Sequence, residues 1–140
     1  YAKNQYNDLS KVFNQENAHK LLLESGLINN NHQNKIYDRF YNRIIFPIKN
    51  YRGKIIGFGG RVIDNSEPKY LNSPESPIFN KSEELYGLFE SIKTIQTKNY
   101  VIVVEGYLDV ISLFQFGITN VVATMGTSLS DFHIKKLFLN

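Results

Sequence analysis

Two acidic residues stand where chemistry could be done: Glu105 and Asp109, in VIVVEGYLD (residues 101–109), where four apolar residues run directly into a carboxylate and the carboxylate into a glycine. A carboxylate at the rim of an apolar core is costly unless it is solvated, paired or used. Asp109 follows four residues later, one helical turn on if a helix begins after Gly106. Gly106 is expected to let the chain turn tightly and keep the space before Glu105 open. Two carboxylates with no histidine or cysteine beside them suit a hard, oxygen-preferring cation such as Mg2+. A strand-end glutamate held in a structural ion pair answers the same pattern, and the residues alone leave both readings open.

The other chemistry on offer is basic. Between Arg39 and Arg61 there are six basic residues (Arg39, Arg43, Lys49, Arg52, Lys54, Arg61) and no acidic one. Residues 1–81 hold 12 Lys/Arg against 7 Asp/Glu, whereas residues 82–140 hold 4 against 6, so the net charge of +3 changes sign along the chain. A basic first part suits a surface that meets phosphates; a solvated basic face is the plainer alternative.

The elements that must position these groups follow from pattern. NQENAHKLLLESGL reads as a helix capped by Asn14 or Asn17, with Ala18, Leu21, Leu22 and Leu23 inward and Gly26 as its stop. Asn29–Asn34 reads as a loop. Arg43–Asn50 and Lys54–Ile63 flank NYRG and are expected to pair as a hairpin, with Pro47 marking an edge or a bulge. Alternation in the second strand places Gly57, Gly59 and Arg61 on one face, where missing Cβ atoms would let a phosphodiester approach an arginine able to hold it with two hydrogen bonds. A glycine bulge that merely bends the hairpin is the alternative.

Residues 64–80, DNSEPKYLNSPESPIFN, hold three of the four prolines and no periodicity, so they read as a long loop carrying Lys69, Tyr70 and Asn72, with Lys81 next in the chain. Ser82 is expected to cap a helix over EELYGLFESIKTIQ, burying Leu85, Leu88, Phe89 and Ile92. Tyr100–Glu105 as a strand, Tyr107–Phe116 as a helix ended by Gly117, and Asn120–Met125 as a second strand make a βαβ unit with parallel strands, followed by another helix. In open parallel sheets ligands gather outside the carboxyl ends of the strands, which is where Glu105 falls.

The absence of cysteine excludes a disulfide framework and a thiolate zinc site, and His19, His32 and His133 have no metal-ligand spacing. No apolar run reaches the roughly 18–20 residues of a membrane span and no signal-peptide layout opens the chain, so an intracellular, soluble protein is expected. The opening on Tyr1 and the helical pattern still running at HIKKLFLN lead to the expectation that residues needed for function lie beyond these 140. Abundant Asn, Lys, Ile and Tyr point to an AT-rich genome.

In order, YDRF, NRIIFPI, RGKIIGFGGR, PKYLNSPE, the IF and Lys of IFNK, LYGL, VVEGYLDV and ATMGTSLS resemble the catalytic core of bacterial replicative DNA primase over nearly the whole chain. The resemblance implies an α/β fold: an α+β basic subdomain, its C-terminal part over residues 1–98, followed by the first part of a Rossmann-like Toprim parallel sheet over 99–140. It implies DNA-templated synthesis of short RNA primers from ribonucleoside triphosphates on single-stranded DNA, with Mg2+ or Mn2+, in the bacterial cytoplasm at the replication fork. By motif, Glu105 is implied as metal ligand and catalytic residue, and Asp109 as a supporting catalytic acid. Arg43, Arg61, Lys69, Tyr70, Asn72 and Lys81 match the surface that binds nucleic acid and nucleotide.

The family's site also uses an Asp-x-Asp pair after a later strand, and none occurs in these residues. The metal site is therefore expected to be incomplete here and these residues alone inactive. Zinc is expected only in a separate N-terminal module, and the replicative helicase only through a C-terminal one, both outside this chain. Another Toprim enzyme, a topoisomerase or nuclease, and a non-catalytic nucleic-acid-binding module are the competing readings. PKYLNSPE and GFGGR ahead of the strand favour the primase.

Overall fold

The computed structural model describes residues 1–31, 33 and 35–138. In chain order the elements are α1 (Asp8–Val12), α2 (Glu16–Glu24), β1 (Ile28–Asn30), β2 (Ile36–Asp38), β3 (Arg43–Lys49), β4 (Ile55–Val62), β5 (Tyr70–Asn72), α3 (Leu88–Lys98), β6 (Ile102–Val104), α4 (Tyr107–Gln115), β7 (Val121–Ala123) and α5 (Asp131–Phe138). Backbone contacts divide them into two compact units, one of Tyr1–Phe46 with Gly57–Pro74, the other of Pro47–Ile56 with Glu75–Asn140. No helix among the described residues is long and apolar enough to cross a membrane.

In the first unit β1 and β2 pair antiparallel, Ile28 opposite Asp38. Asn29 and Asn30 thus belong to a strand rather than to the expected loop, facing Tyr37 and Ile36; Asn34 and His32 lie outside the described residues. Helix α2 begins after Gln15 with no side-chain cap, so neither Asn14 nor Asn17 caps it. Of its leucines only Leu22 is buried; Leu21 and Leu23 are exposed, because one narrow stripe of a nine-residue helix can face the core.

The hairpin forms as expected, and β3 lies at the edge of a three-stranded sheet ordered β3-β4-β5. Pro47, which cannot donate to a ladder, is tolerated there. The expected loop over 64–80 contains the third strand: β5 pairs antiparallel with β4, Gly59 opposite Asn72, Gly60 opposite Leu71 and Arg61 opposite Tyr70. Phe40 meets Phe58 edge to face at 6.4 Å, and Phe40, Phe46 and Val62 are buried.

In the second unit β6 and β7 are parallel, Ile102 opposite Val121 and Val104 opposite Ala123, joined by α4. On the other side of β7, Tyr86 and Ala123 exchange both backbone hydrogen bonds, at 2.9 and 3.0 Å. Val121, Val122 and Ala123 are consequently flanked on both sides and fully buried, with Leu85 and Leu88 packed on Val122. Full burial of a leucine such as Leu85 is worth about 1.5–3 kcal/mol.

The same exchange explains why α3 starts at Leu88 rather than after Ser82. Tyr86 is held extended against β7, and Gly87, with φ +81°, reverses the chain before the helix can begin. Ser82 instead takes part in a turn organised by Asn80, whose side-chain oxygen accepts both the Ser82 N–H and its hydroxyl. Phe89 is not part of the core stripe but 41% exposed, lying over Gly53 at the hairpin tip.

Gly53 has φ +78°, and a Cβ there would come within 2.7 Å of the far end of the Phe89 ring. The ring can swing aside, so the backbone sets the cost: Gly53→Ala should destabilise by about 1–2 kcal/mol, read as a lower urea midpoint with an unchanged slope.

Candidate functional site

Glu105 follows β6 directly, beyond the hydrogen bond from the Thr124 N–H to the Val104 carbonyl that closes the parallel ladder. It is exposed, and among the described residues its carboxylate has no hydrogen-bond or ion-pair partner. The structural ion pair that the sequence left open is therefore not made among them. A carboxylate in solvent at this position costs little and is free to accept a ligand.

Asp109 has a local task. Its Oδ2 accepts the Gly106 N–H at 3.1 Å, satisfying one of the orphan donors at the start of α4, where a negative charge also suits the helix dipole. Gly106 itself is extended, with φ −138° and ψ 165°, a conformation open to any residue. The chain does bend at Glu105 and Gly106, as expected, but without the left-handed backbone that would require a glycine. The missing side chain of Gly106 matters for space instead, since a Cβ would lie 3.3 Å from Asp109 Oδ2. Tyr107, next in the chain, is buried edge-on against Tyr86 at 4.7 Å, and burial raises its hydroxyl pKa well above the usual tyrosine value.

The donor chemistry of Glu105 and Asp109 fits a hard divalent cation: oxygen ligands only, one carboxylate without a partner among the described residues and the other with one oxygen engaged by an amide. The pair is not a complete set. Among the described residues no three of His, Cys, Asp and Glu are grouped to hold a metal ion.

The basic residues divide between the units. In the first, the β4–β5 register sets Arg61 beside Tyr70, the guanidinium carbon 5.8 Å from the ring centroid. Arg61 Nε is buried without a partner among the described residues, and Tyr70 is 44% exposed. Lys69 is exposed, its backbone N–H held by Glu67 Oε2 at 2.9 Å. Asn72 is half-buried, and its carbonyl accepts Arg39 Nε at 3.0 Å. Gly57 and Gly59 are buried, so the Cβ-free face is covered and Arg61 presents its guanidinium beside Tyr70 rather than across an open glycine floor.

Arg43 is 3% exposed, with Nε and Nη1 both without a partner among the described residues, and its Cδ lies 3.1 Å from where a Gly60 Cβ would stand. Gly60 leaves room for the arginine stem to cross the sheet. Lys81 lies in the second unit, half-buried, with its backbone N–H on Glu75 Oε1 at 3.2 Å and its ammonium without a partner among the described residues.

In the sequence Arg39 is distinguished from the other basic residues of its run by nothing local. Desolvation lowers its pKa, and its bond to the Asn72 carbonyl ties YDRF to the strand that PKYLN forms. That strand was the missing signal, since its three residues lie between prolines.

Comparison with known proteins agrees with this geometry. The family model described as DNA primase catalytic core, N-terminal domain, matches residues 1–92, and the Toprim domain model matches 99–140. Toprim domains generally bind metal, consistent with the free carboxylate after β6. The chain is 53% identical over 120 residues to a DNA primase of Pseudomonas putida, covering 85% of this chain and 18% of that protein. It is 51% identical over 138 residues to a DNA primase of Legionella pneumophila, covering 98% and 24%. Among solved structures, the E. coli primase catalytic core superposes with a TM-score of 0.91 at 45% identity, over 99% of this chain and 44% of that one. A DnaG primase catalytic domain bound to ssDNA does so with a TM-score of 0.91 at 44% identity, over 99% and 45%. The chain thus spans about a fifth to a quarter of the length of the curated relatives it matches.

Proposed function

We propose, from the premise that this chain belongs to the DNA primase catalytic-core family, that it is part of an enzyme that synthesises short RNA primers on single-stranded DNA. The observation that carries the reading is the carboxylate of Glu105, exposed at the carboxyl end of β6 and without a partner among the described residues. Residues 1–98 then form the C-terminal part of the basic subdomain and 99–140 the first part of the Toprim domain. The remaining metal ligands come from residues beyond these.

Glu105 would hold Mg2+ or Mn2+, and Asp109, anchored to the Gly106 amide, would orient the start of α4 beneath it. When bound, such an ion supplies charge neutralisation for a triphosphate and favours ionisation of an attacking 3′-hydroxyl. Arg61, Lys69 and Lys81 hold phosphates of template or ribonucleotide, the Tyr70 ring keeps the Arg61 guanidinium in place from one side, and Asn72 supports that strand through its own carbonyl. Buried Arg43 acts from behind Gly60. The substrates are ribonucleoside triphosphates, the product an RNA primer, and the setting the replication fork in the bacterial cytoplasm, with the replicative helicase engaged through a module outside this chain.

The test is direct. The complete protein, given single-stranded DNA, ribonucleoside triphosphates and Mg2+ or Mn2+, should yield template-dependent RNA of short length, and chelation should stop it. DNA cleavage or relaxation of supercoils without RNA synthesis would instead identify a nuclease or topoisomerase. Binding of DNA with neither activity would leave a binding module.

A further inference from the structure

His133 is a fully buried histidine that neither the carboxylate site nor the basic surface accounts for. It lies near the start of α5, and its Nδ1 accepts the Ser130 N–H at 3.1 Å. A ring nitrogen that accepts from a backbone amide carries no proton, so the proton sits on Nε2, which donates to the Lys81 carbonyl at 3.1 Å. Ser130 adds a second link, its hydroxyl donating to the Ser82 carbonyl while accepting the His133 N–H. Lys136, one turn on, pairs with Glu84 at 2.7 Å between side chains only 21% and 15% exposed. Three side chains of one short stretch thus grip Lys81, Ser82 and Glu84, a turn with no helix or strand of its own.

We propose that His133 is a positioning residue for Lys81, fixing the backbone from which that lysine reaches a phosphate. The proposal rests on the reading of Lys81 as a phosphate-holding lysine. A lysine has a flexible four-carbon stem that must be ordered to hold an anion. Fixing its base at the carbonyl lowers the cost of ordering the rest, which is preorganisation in the ordinary sense. A clamp that served only to dock α5 would act on stability and leave phosphate affinity alone.

The experiment is a double-mutant cycle in the complete protein. Affinities for a single-stranded oligonucleotide and for a ribonucleoside triphosphate are measured, and the cycle is run on the ligand that Lys81→Ala weakens. The expected loss for Lys81→Ala is about tenfold, the size of one charge-assisted hydrogen bond. His133→Phe, which keeps the bulk and removes both ring nitrogens, should lose several-fold alone and nothing further in the Lys81→Ala background. His133→Gln, whose amide can still donate to the Lys81 carbonyl, should recover most of the loss.

Additive losses, unchanged affinity in His133→Phe, or glutamine no better than phenylalanine would overturn the positioning role while leaving Lys81 as a phosphate contact. Unchanged affinity for both ligands in Lys81→Ala would remove the reading beneath it and the proposal together. Ser130→Ala removes the link to the Ser82 carbonyl and the bond to the His133 N–H while leaving both ring nitrogens of His133 in place. Because the Ser130 hydroxyl holds both the His133 N–H and the carbonyl next to Lys81, its cycle with Lys81→Ala should show a smaller non-additive loss, and additivity there overturns the proposal even where the His133 variants do not fold.

Discussion

Replacing Glu105 by glutamine in the complete protein should reduce primer synthesis by about a hundredfold or more while leaving the fold and single-stranded DNA binding intact. Glutamine keeps the size of the side chain and removes the charge that a divalent cation needs. Glu105 has no partner among the described residues, so the exchange breaks no contact and strands no buried group. Its cost is therefore expected in kcat and not in the melting temperature. Asp109 makes the instructive contrast, because its carboxylate caps α4: Asp109→Asn removes a charge and disturbs a helix start together, and loss of activity there would not separate the two. Primer yield near that of the unchanged protein, with the same Mg2+ dependence, would remove Glu105 from the site.

What could be read from residue order was what local pattern encodes. The hairpin, the β6–α4–β7 unit and the position of Glu105 all follow from alternation, turn residues and a four-residue apolar run, and each appears in the structure. What could not be read depends on partners far along the chain. Strand β5 has three residues set among prolines and polar groups and exists because β4 offers it an edge. The delayed start of α3 depends on Tyr86 pairing with Ala123, while the Ser-Glu-Glu run imitates a helix cap. His133 lies 52 residues from the carbonyl it holds, and no spacing rule joins them. Arg43 looks like any basic strand residue until Gly60 leaves the gap its stem fills. Gly106 marks the bend between β6 and α4 as its position suggests, but its own backbone is extended, and what the missing side chain spares is the space beside Asp109.

The division of labour between carboxylate and cations leads to the second large effect. Arg61 and Lys69 lie on or next to the β4–β5 pair, with no acidic side chain paired to either among the described residues. Arg61 is half-buried with its guanidinium beside the Tyr70 ring, so little further ordering is needed for its planar fork to meet a phosphate. Each charge-assisted contact to a phosphate is worth roughly 1.5–3 kcal/mol. The double change Arg61→Ala with Lys69→Ala should therefore weaken single-stranded DNA or nucleotide binding by about a hundredfold, against about tenfold for either alone. Phosphates carry no sequence information, so a loss on DNA should be similar for unrelated templates. The dependence of log affinity on log salt should become shallower by about 0.7 for each single-strand contact removed. Titration of two unrelated oligonucleotides at several salt concentrations, with nucleotide binding measured alongside, decides among three outcomes. A uniform loss with a shallower slope, or a loss on nucleotide alone, places these residues against phosphates. A loss confined to one template indicates base readout, and unchanged affinity for both ligands makes Arg61 and Lys69 ordinary solvated cations. Primer synthesis in the double variant should recover in part at raised template or nucleotide concentration, because binding is what these residues supply, whereas no concentration should rescue Glu105→Gln.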